Sequence, residues 1–213
     1  MKKSVIGLVF LAAALMLSAC AASVPEADKD KPYVSVSFGY AEGLKYAPSF
    51  AVWVEDEAGN TATLYATAKA AADSWGGQKR EGVLPVWKGA REGADVVSGA
   101  TPQNGAALTM NIPGAFVGKK LTLFIEANAS YDYNDYYAEG LKESDTGYND
   151  VNGQPSVLWT MTLDPAVPDG SAAPELAGTG EVLGADHEVH EAEHLTTAAE
   201  LLTGITVEWK LGE

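Results

Sequence analysis

The three histidines of the chain, His187, His190 and His194, fall within one short stretch. On a helix, steps of three and four residues place them on one face, where imidazoles can ligate zinc, copper, nickel or haem iron, with Asp186 or Glu191 assisting. Solvated imidazoles on an acidic helix satisfy the same pattern. No H-E-x-x-H motif is present, because Glu188 is followed by Val189 and His190. Asp145, Asn149, Asp150, Asn152 and Gly153 gather oxygen donors suited to calcium, but without EF-hand spacing, and an ordinary acidic loop accounts for them. No nucleophile elbow, phosphate loop or supported Ser–His pair occurs. Ser98-Gly99-Ala100-Thr101 sets two hydroxyls around two small residues and runs into Pro102-Gln103-Asn104-Gly105, which has turn chemistry throughout. In a plain loop such hydroxyls bond the local backbone.

Extended by Asp95, this stretch becomes Asp95-Val96-Val97-Ser98-Gly99-Ala100-Thr101. It resembles the flavinylation motif recognised by the bacterial FAD:protein FMN transferase, as found in FMN-binding domains and in the sodium-pumping NADH:quinone reductase. The resemblance implies that Thr101 carries FMN through a phosphoester, with Asp95, Ser98, Gly99 and Ala100 as the recognition residues. Small Gly99 and Ala100 let a modifying enzyme approach the backbone closely. Trp75, Trp87, Tyr131, Tyr133, Tyr136 and Tyr137 are candidates to stack on the flavin ring. Trp53 and Trp159 lie in apolar strand patterns and are expected in the core.

A wider resemblance covers most of the chain. Phe50 to Asp56 with Gly59, Trp75, Asp95 to Pro102 and Tyr148 to Ser156 are similar to a family of periplasmic proteins known as domain of unknown function 2271. It implies an extracytoplasmic β-rich domain, often found beside flavin-transfer or membrane electron-transfer proteins, and no established activity.

The start of the chain fits that compartment. Lys2 and Lys3 precede an apolar run from Val5 to Leu17, too short for a comfortable membrane span and followed by Leu17-Ser18-Ala19-Cys20. This resembles a bacterial lipobox, which implies a signal peptide over 1–19 and a lipid-modified Cys20. Cys20 is the only cysteine, so intramolecular disulfides and cysteine metal sites are excluded. Residues 20–32 read as a tether, and 33–213 as one domain. The net charge of −15 argues against nucleic acid and anionic lipid as partners.

The elements that must position Thr101 are strands. Tyr33 to Phe38 alternates strictly, Phe50 to Glu55 is apolar, and Asp56-Glu57-Ala58-Gly59-Asn60 turns into Thr61 to Tyr65. Residues 67–75 are Ala-rich and suit a short helix or turn. Val83–Trp87, Ala107–Ile112, Lys120–Ala127, Ser156–Leu163 and Ile205–Leu211 complete about eight strands. The expected fold is all-β, an immunoglobulin-like antiparallel β-sandwich. An excursion over 164–203 is expected to be helical from about His187 to Leu202. Tyr40-Ala41-Glu42-Gly43-Leu44-Lys45 recurs as residues 137–142, and each copy leads to Pro-Ser and a Trp-bearing strand. The functional expectation is a lipid-anchored electron carrier, in the periplasm or on the cell surface, serving a membrane redox partner. A non-redox binding or scaffold lipoprotein with a structural SGAT turn, or a metal-binding lipoprotein using the histidines, are the alternatives.

Overall fold

The computed structural model describes residues 27–72, 74–75, 78–91 and 98–212. The expected signal peptide, Cys20 and Asp95 lie outside the described residues, as do the side chains of 74, 75 and 78. The strands are β1 (Tyr33–Tyr40), β2 (Ser49–Asp56), β3 (Thr61–Thr67), β4 (Ser74–Trp75), β5 (Gln78–Lys79), β6 (Ser98–Gly99), β7 (Ala106–Asn111), β8 (Leu121–Asn128), β9 (Val157–Leu163), β10 (Asp169–Ala172), β11 (Glu175–Thr179) and β12 (Leu202–Lys210). Two short helices, α1 (Ala68–Ala71) and α2 (Pro85–Ala90), join them.

A four-stranded sheet in the order β10-β12-β1-β7 packs on a six-stranded sheet in the order β11-β9-β8-β2-β3-β6. The fold is therefore the expected all-β sandwich, with antiparallel pairing throughout both sheets except for the short parallel pair β3–β6. Alternation in β1 drives Val34, Val36 and Phe38 inward against Phe50, Val52, Val54, Leu123, Ile125 and Trp159. The unbroken apolar run in β2 has a different cause. Its other face is buried too, with Ala51 and Trp53 packing under Val83, Leu84, Val86 and Trp87. Trp53 stacks on Phe124 at 4.9 Å, so Trp53 and Trp159 are core residues as expected.

Three expectations are corrected. Val83–Trp87 is not a strand: Glu81–Val83 forms a 3-10 turn and Pro85 opens α2. Proline fits the first helical position because its missing N–H would have no partner there. The N–H groups of Val86 and Trp87 are taken by the buried Glu126 carboxylate, Trp87 at 2.7 Å. Second, 187–202 is not a helix. The backbone of His190 pairs with Thr179 in both directions, at 3.0 and 2.8 Å, and His194 has φ +56°, so only Thr197–Glu200 turns, as a 3-10 helix. Sheet pairing overrides the local helix propensity of the Glu- and Ala-rich sequence, and the excursion also supplies β10 and β11. Third, part of the stretch expected as a tether, 20–32, is docked on the domain. The Asn111 side chain bonds the N–H and C=O of Asp28 at 2.9 and 2.8 Å, docking that residue on the end of β7.

The registers define two poles. Tyr33, Asn111, Lys210, Asp56 and Leu121 lie at the pole where the chain enters. Tyr40, Ser49, Thr67, Ala106, Asn128, Val157 and Leu202 lie at the far pole. A T-shaped Phe38–Phe50 contact at 5.1 Å aligns the two sheets there. The repeated hexapeptide turns the same way twice: Gly43 and Gly140 both take a left-handed φ, near +80°, which glycine adopts without strain. The Pro-Ser pairs that follow open β2 and β9, the two strands flanking β8.

Candidate functional site

Ser98 and Gly99 continue the six-stranded sheet, facing Ala66 and Thr67 at the end of β3. The chain then crosses through residues 100–105 to β7 of the other sheet, at the far pole. Two tyrosines hold this crossing. The Tyr65 hydroxyl donates to the carbonyl of Ala100 at 3.1 Å, and the Tyr40 hydroxyl donates to that of Pro102 at 3.2 Å. Tyr65 is fully buried and stacks on Phe50 at 5.4 Å, so the grip is fixed by the core. Burial pushes both phenols up from their ordinary range, keeping them as hydroxyl donors at neutral pH.

Thr101 sits between the two held carbonyls. Its side chain is half-buried, its carbonyl accepts from Gln103 Nε2 at 3.2 Å, and its hydroxyl makes no hydrogen bond to any described residue. Ser98 and Ala100 are exposed and Gly99 is buried. Among the described residues, the two hydroxyls are thus not committed to local backbone, as those of a simple Ser/Thr turn would be.

The aromatic candidates separate. Trp87 is fully buried and its indole N–H donates to Thr63 at 3.0 Å, so it cannot contact a flavin at the surface. Its predicted place in a strand face was wrong because it belongs to α2. Trp75 lies on β4, with its side chain outside the described residues. Tyr131 and Tyr133 belong to the long β8–β9 connection at the same pole as Thr101. Tyr131 packs on Tyr46 and Tyr133, with Lys45 Nζ 4.4 Å from its ring centre, and the Tyr133 hydroxyl donates to Asp150 at 3.3 Å.

That connection is held by buried polar groups that the sequence did not reveal. Arg80, 8 % exposed, donates to Ser130 at 2.8 Å and to Asn152. Asn152 donates to the Val182 carbonyl, and Asn128 donates to that of Gln154. Gln154, fully buried, donates to Asp132 at 2.9 Å and accepts from the Thr196 N–H at 2.7 Å. Arg80 places a guanidinium against Asn152, where the calcium reading would need a cation, and Asp145 caps its own turn through the Lys142 N–H. A second buried group is Glu126, which accepts from the Ser156 hydroxyl at 2.6 Å as well as from Val86 and Trp87. Burial, outweighing those three donors, pushes its carboxyl up to about 7.

The histidines do not share a face. His187 packs over Gly89, where a side chain would collide with the imidazole, and its Nδ1 lies 2.8 Å from the Pro85 carbonyl. His190 Nε2 bonds Asp186 at 2.9 Å, and His194 stacks on Tyr136 with ring centres 3.8 Å apart. Among the described residues, no three His, Cys, Asp or Glu side chains converge as a metal site. No helix among them is long and apolar enough to cross a membrane. No family model, curated protein or solved structure matches the chain.

Proposed function

We propose that this protein is a lipid-anchored extracytoplasmic electron carrier that holds FMN covalently on Thr101. The observation that supports the reading is the half-buried Thr101, between two carbonyls fixed by Tyr40 and Tyr65, with a hydroxyl bonded to no described residue. An acceptor that is held in place while its hydroxyl bonds no described residue suits modification by a second enzyme. In that transfer, the Thr101 oxygen forms a bond to the flavin-bearing phosphorus of FAD as the pyrophosphate bond breaks and AMP leaves. The modifying transferase supplies the catalysis, and this chain supplies the hydroxyl. Bound FMN supplies one- and two-electron exchange. Tyr131 and Tyr133 stand at the same pole and are aromatic candidates for shaping its surroundings.

With Cys20 as the anchor, the tether meets the sandwich at Asp28, on the pole opposite Thr101. The eight residues of β1 put about 25 Å between the poles. An upright domain therefore presents Thr101 away from the lipid, which favours a redox partner with its own extracytoplasmic domain over one confined to the bilayer.

The second reading is a non-redox binding lipoprotein in which SGAT only joins the sheets. The two tyrosine bonds suit it equally, whereas the free hydroxyl favours modification. The third reading, a metal carrier, gains no support from three histidines with three different partners. Intact mass of the protein produced together with the transferase separates the first reading from the others.

A further inference from the structure

The far pole carries a second constellation, which does not include Thr101. All three non-glycine residues with left-handed backbone among those described, Tyr131 (φ +66°), Asp150 (+52°) and His194 (+56°), lie in its loops. Such conformations are strained for residues with a side chain and persist only where the surroundings enforce them. Here the enforcement is visible. Asn134 Nδ2 donates to the His194 carbonyl at 2.7 Å, Asn134 Oδ1 accepts from the N–H groups of Tyr136 and Tyr137, and buried Gln154 holds the Thr196 N–H. The result is an open cleft of about 350 Å³ lined by Asn134, Asp135, Tyr136, His194, Leu195 and Thr196. Its walls are tied to the core, so little ordering remains for a ligand to induce.

The chemistry of the lining selects a ligand class. Tyr136 and His194 stack nearly parallel, 11° apart, and remain exposed to solvent. The facing sides of the two rings cover each other and Tyr137 packs edge-on against Tyr136 at 4.9 Å, so the pair offers solvent its outer surface and polar edges. The Asp135 carboxylate, the Tyr136 hydroxyl and the His194 ring nitrogens make no hydrogen bond to any described residue. An acceptor and two donors therefore stand uncommitted around one aromatic platform. A cation would use the carboxylate and the ring faces and leave the two donors unmatched, and an anion would meet Asp135 on a chain of net charge −15. A pyranose uses everything present: its C–H face lies on the ring, and its hydroxyls both donate and accept. We propose that this cleft binds a neutral sugar unit of a glycan, stacked on the Tyr136–His194 pair and bonded by Asp135. The site does not include Thr101, and it assigns Tyr136 to the sugar in place of the flavin ring.

The test is affinity electrophoresis and calorimetry of the full chain in detergent with maltohexaose, cellohexaose, xylohexaose and chitohexaose. The expected result is binding to at least one of them, weakened at least tenfold by Tyr136→Ala and by Asp135→Ala and unchanged by Thr101→Ala. Tyr136→Phe, which keeps the ring, should retain part of the affinity and guards against a misfolded Ala variant. Binding to none of the four, binding of oligo-lysine in their place, or sugar binding indifferent to Tyr136 and Asp135 would overturn the proposal.

Discussion

The Tyr65 hydroxyl donates to the Ala100 carbonyl at 3.1 Å, one residue before the hydroxyl of Thr101. This bond ties a surface crossing to the centre of the core, because the Tyr65 ring stacks on Phe50 beneath it. Tyr65→Phe removes the donor and keeps the ring. It should cost about 1 kcal/mol of stability, the usual contribution of one such bond. It should also slow modification of Thr101, because the acceptor loses one of its two restraints. Urea unfolding and the time course of mass gain with purified transferase check the two effects separately. Tyr40→Phe should act in the same direction.

A second prediction concerns pH. Burial raises the Glu126 carboxyl to about 7, above the ordinary range that it regains on unfolding, so the folded state binds the proton more tightly. Its contribution to stability is complete below the unfolded value and is lost as pH rises towards 7. The urea midpoint should therefore fall between pH 5 and pH 7.5, and Glu126→Gln should flatten that fall. The variant should also be less stable throughout, because its amide sets a donor against Ser156, Val86 and Trp87. Asp56 acts in a different window. Lys119 and Asn60 hold its carboxyl below the usual range, so its contribution is lost only as pH falls below about 4. An unchanged slope in Glu126→Gln would mean that Glu126 is not the titrating group.

Gln154 joins the two walls of the far-pole loops through Asp132 and Thr196. Gln154→Ala strands both partners and should destabilise the protein by about 2–3 kcal/mol. At concentrations where the variant is still folded, proteolytic nicking should rise within 131–137 and 194–197 and leave the strands intact. Limited proteolysis with mass mapping reads this directly.

The strands that border the main core were legible because their side chains alternate or run apolar. Tyr33–Phe38 and Lys120–Ala127 needed nothing beyond that pattern. Val83-Leu84-Pro85-Val86-Trp87 looked the same, since a helix buried on a sheet face is as apolar as a buried strand. Pro85 was the one local signal for a helix start. The segment 187–202 misled in the opposite direction, because its pairing partner, Thr179, belongs to another strand. At the site, Ser98–Thr101 could be read from residue types alone, but the tyrosines that hold it lie 35 and 62 residues away. Glu126 was hidden for a related reason: a charged residue in an alternating strand reads as solvent-facing until α2 is known to cover it.

On the proposed anchoring, membrane attachment depends on Cys20. Cys20→Ser should move the protein from the detergent phase to the aqueous phase and leave a larger precursor or a soluble export product. Phase partition with immunoblotting measures it, and an unchanged partition would show that Cys20 is not the anchor.

The most direct measurement is the intact mass of wild type and Thr101→Ala, each produced outside the cytoplasm alongside an FAD:protein FMN transferase. Covalent FMN on Thr101 predicts a gain of about 438 Da for one flavin phosphoryl unit, with yellow colour and flavin fluorescence in the wild type, and neither mass gain nor colour in Thr101→Ala. An unmodified wild type, or a mass gain that survives Thr101→Ala, would contradict it.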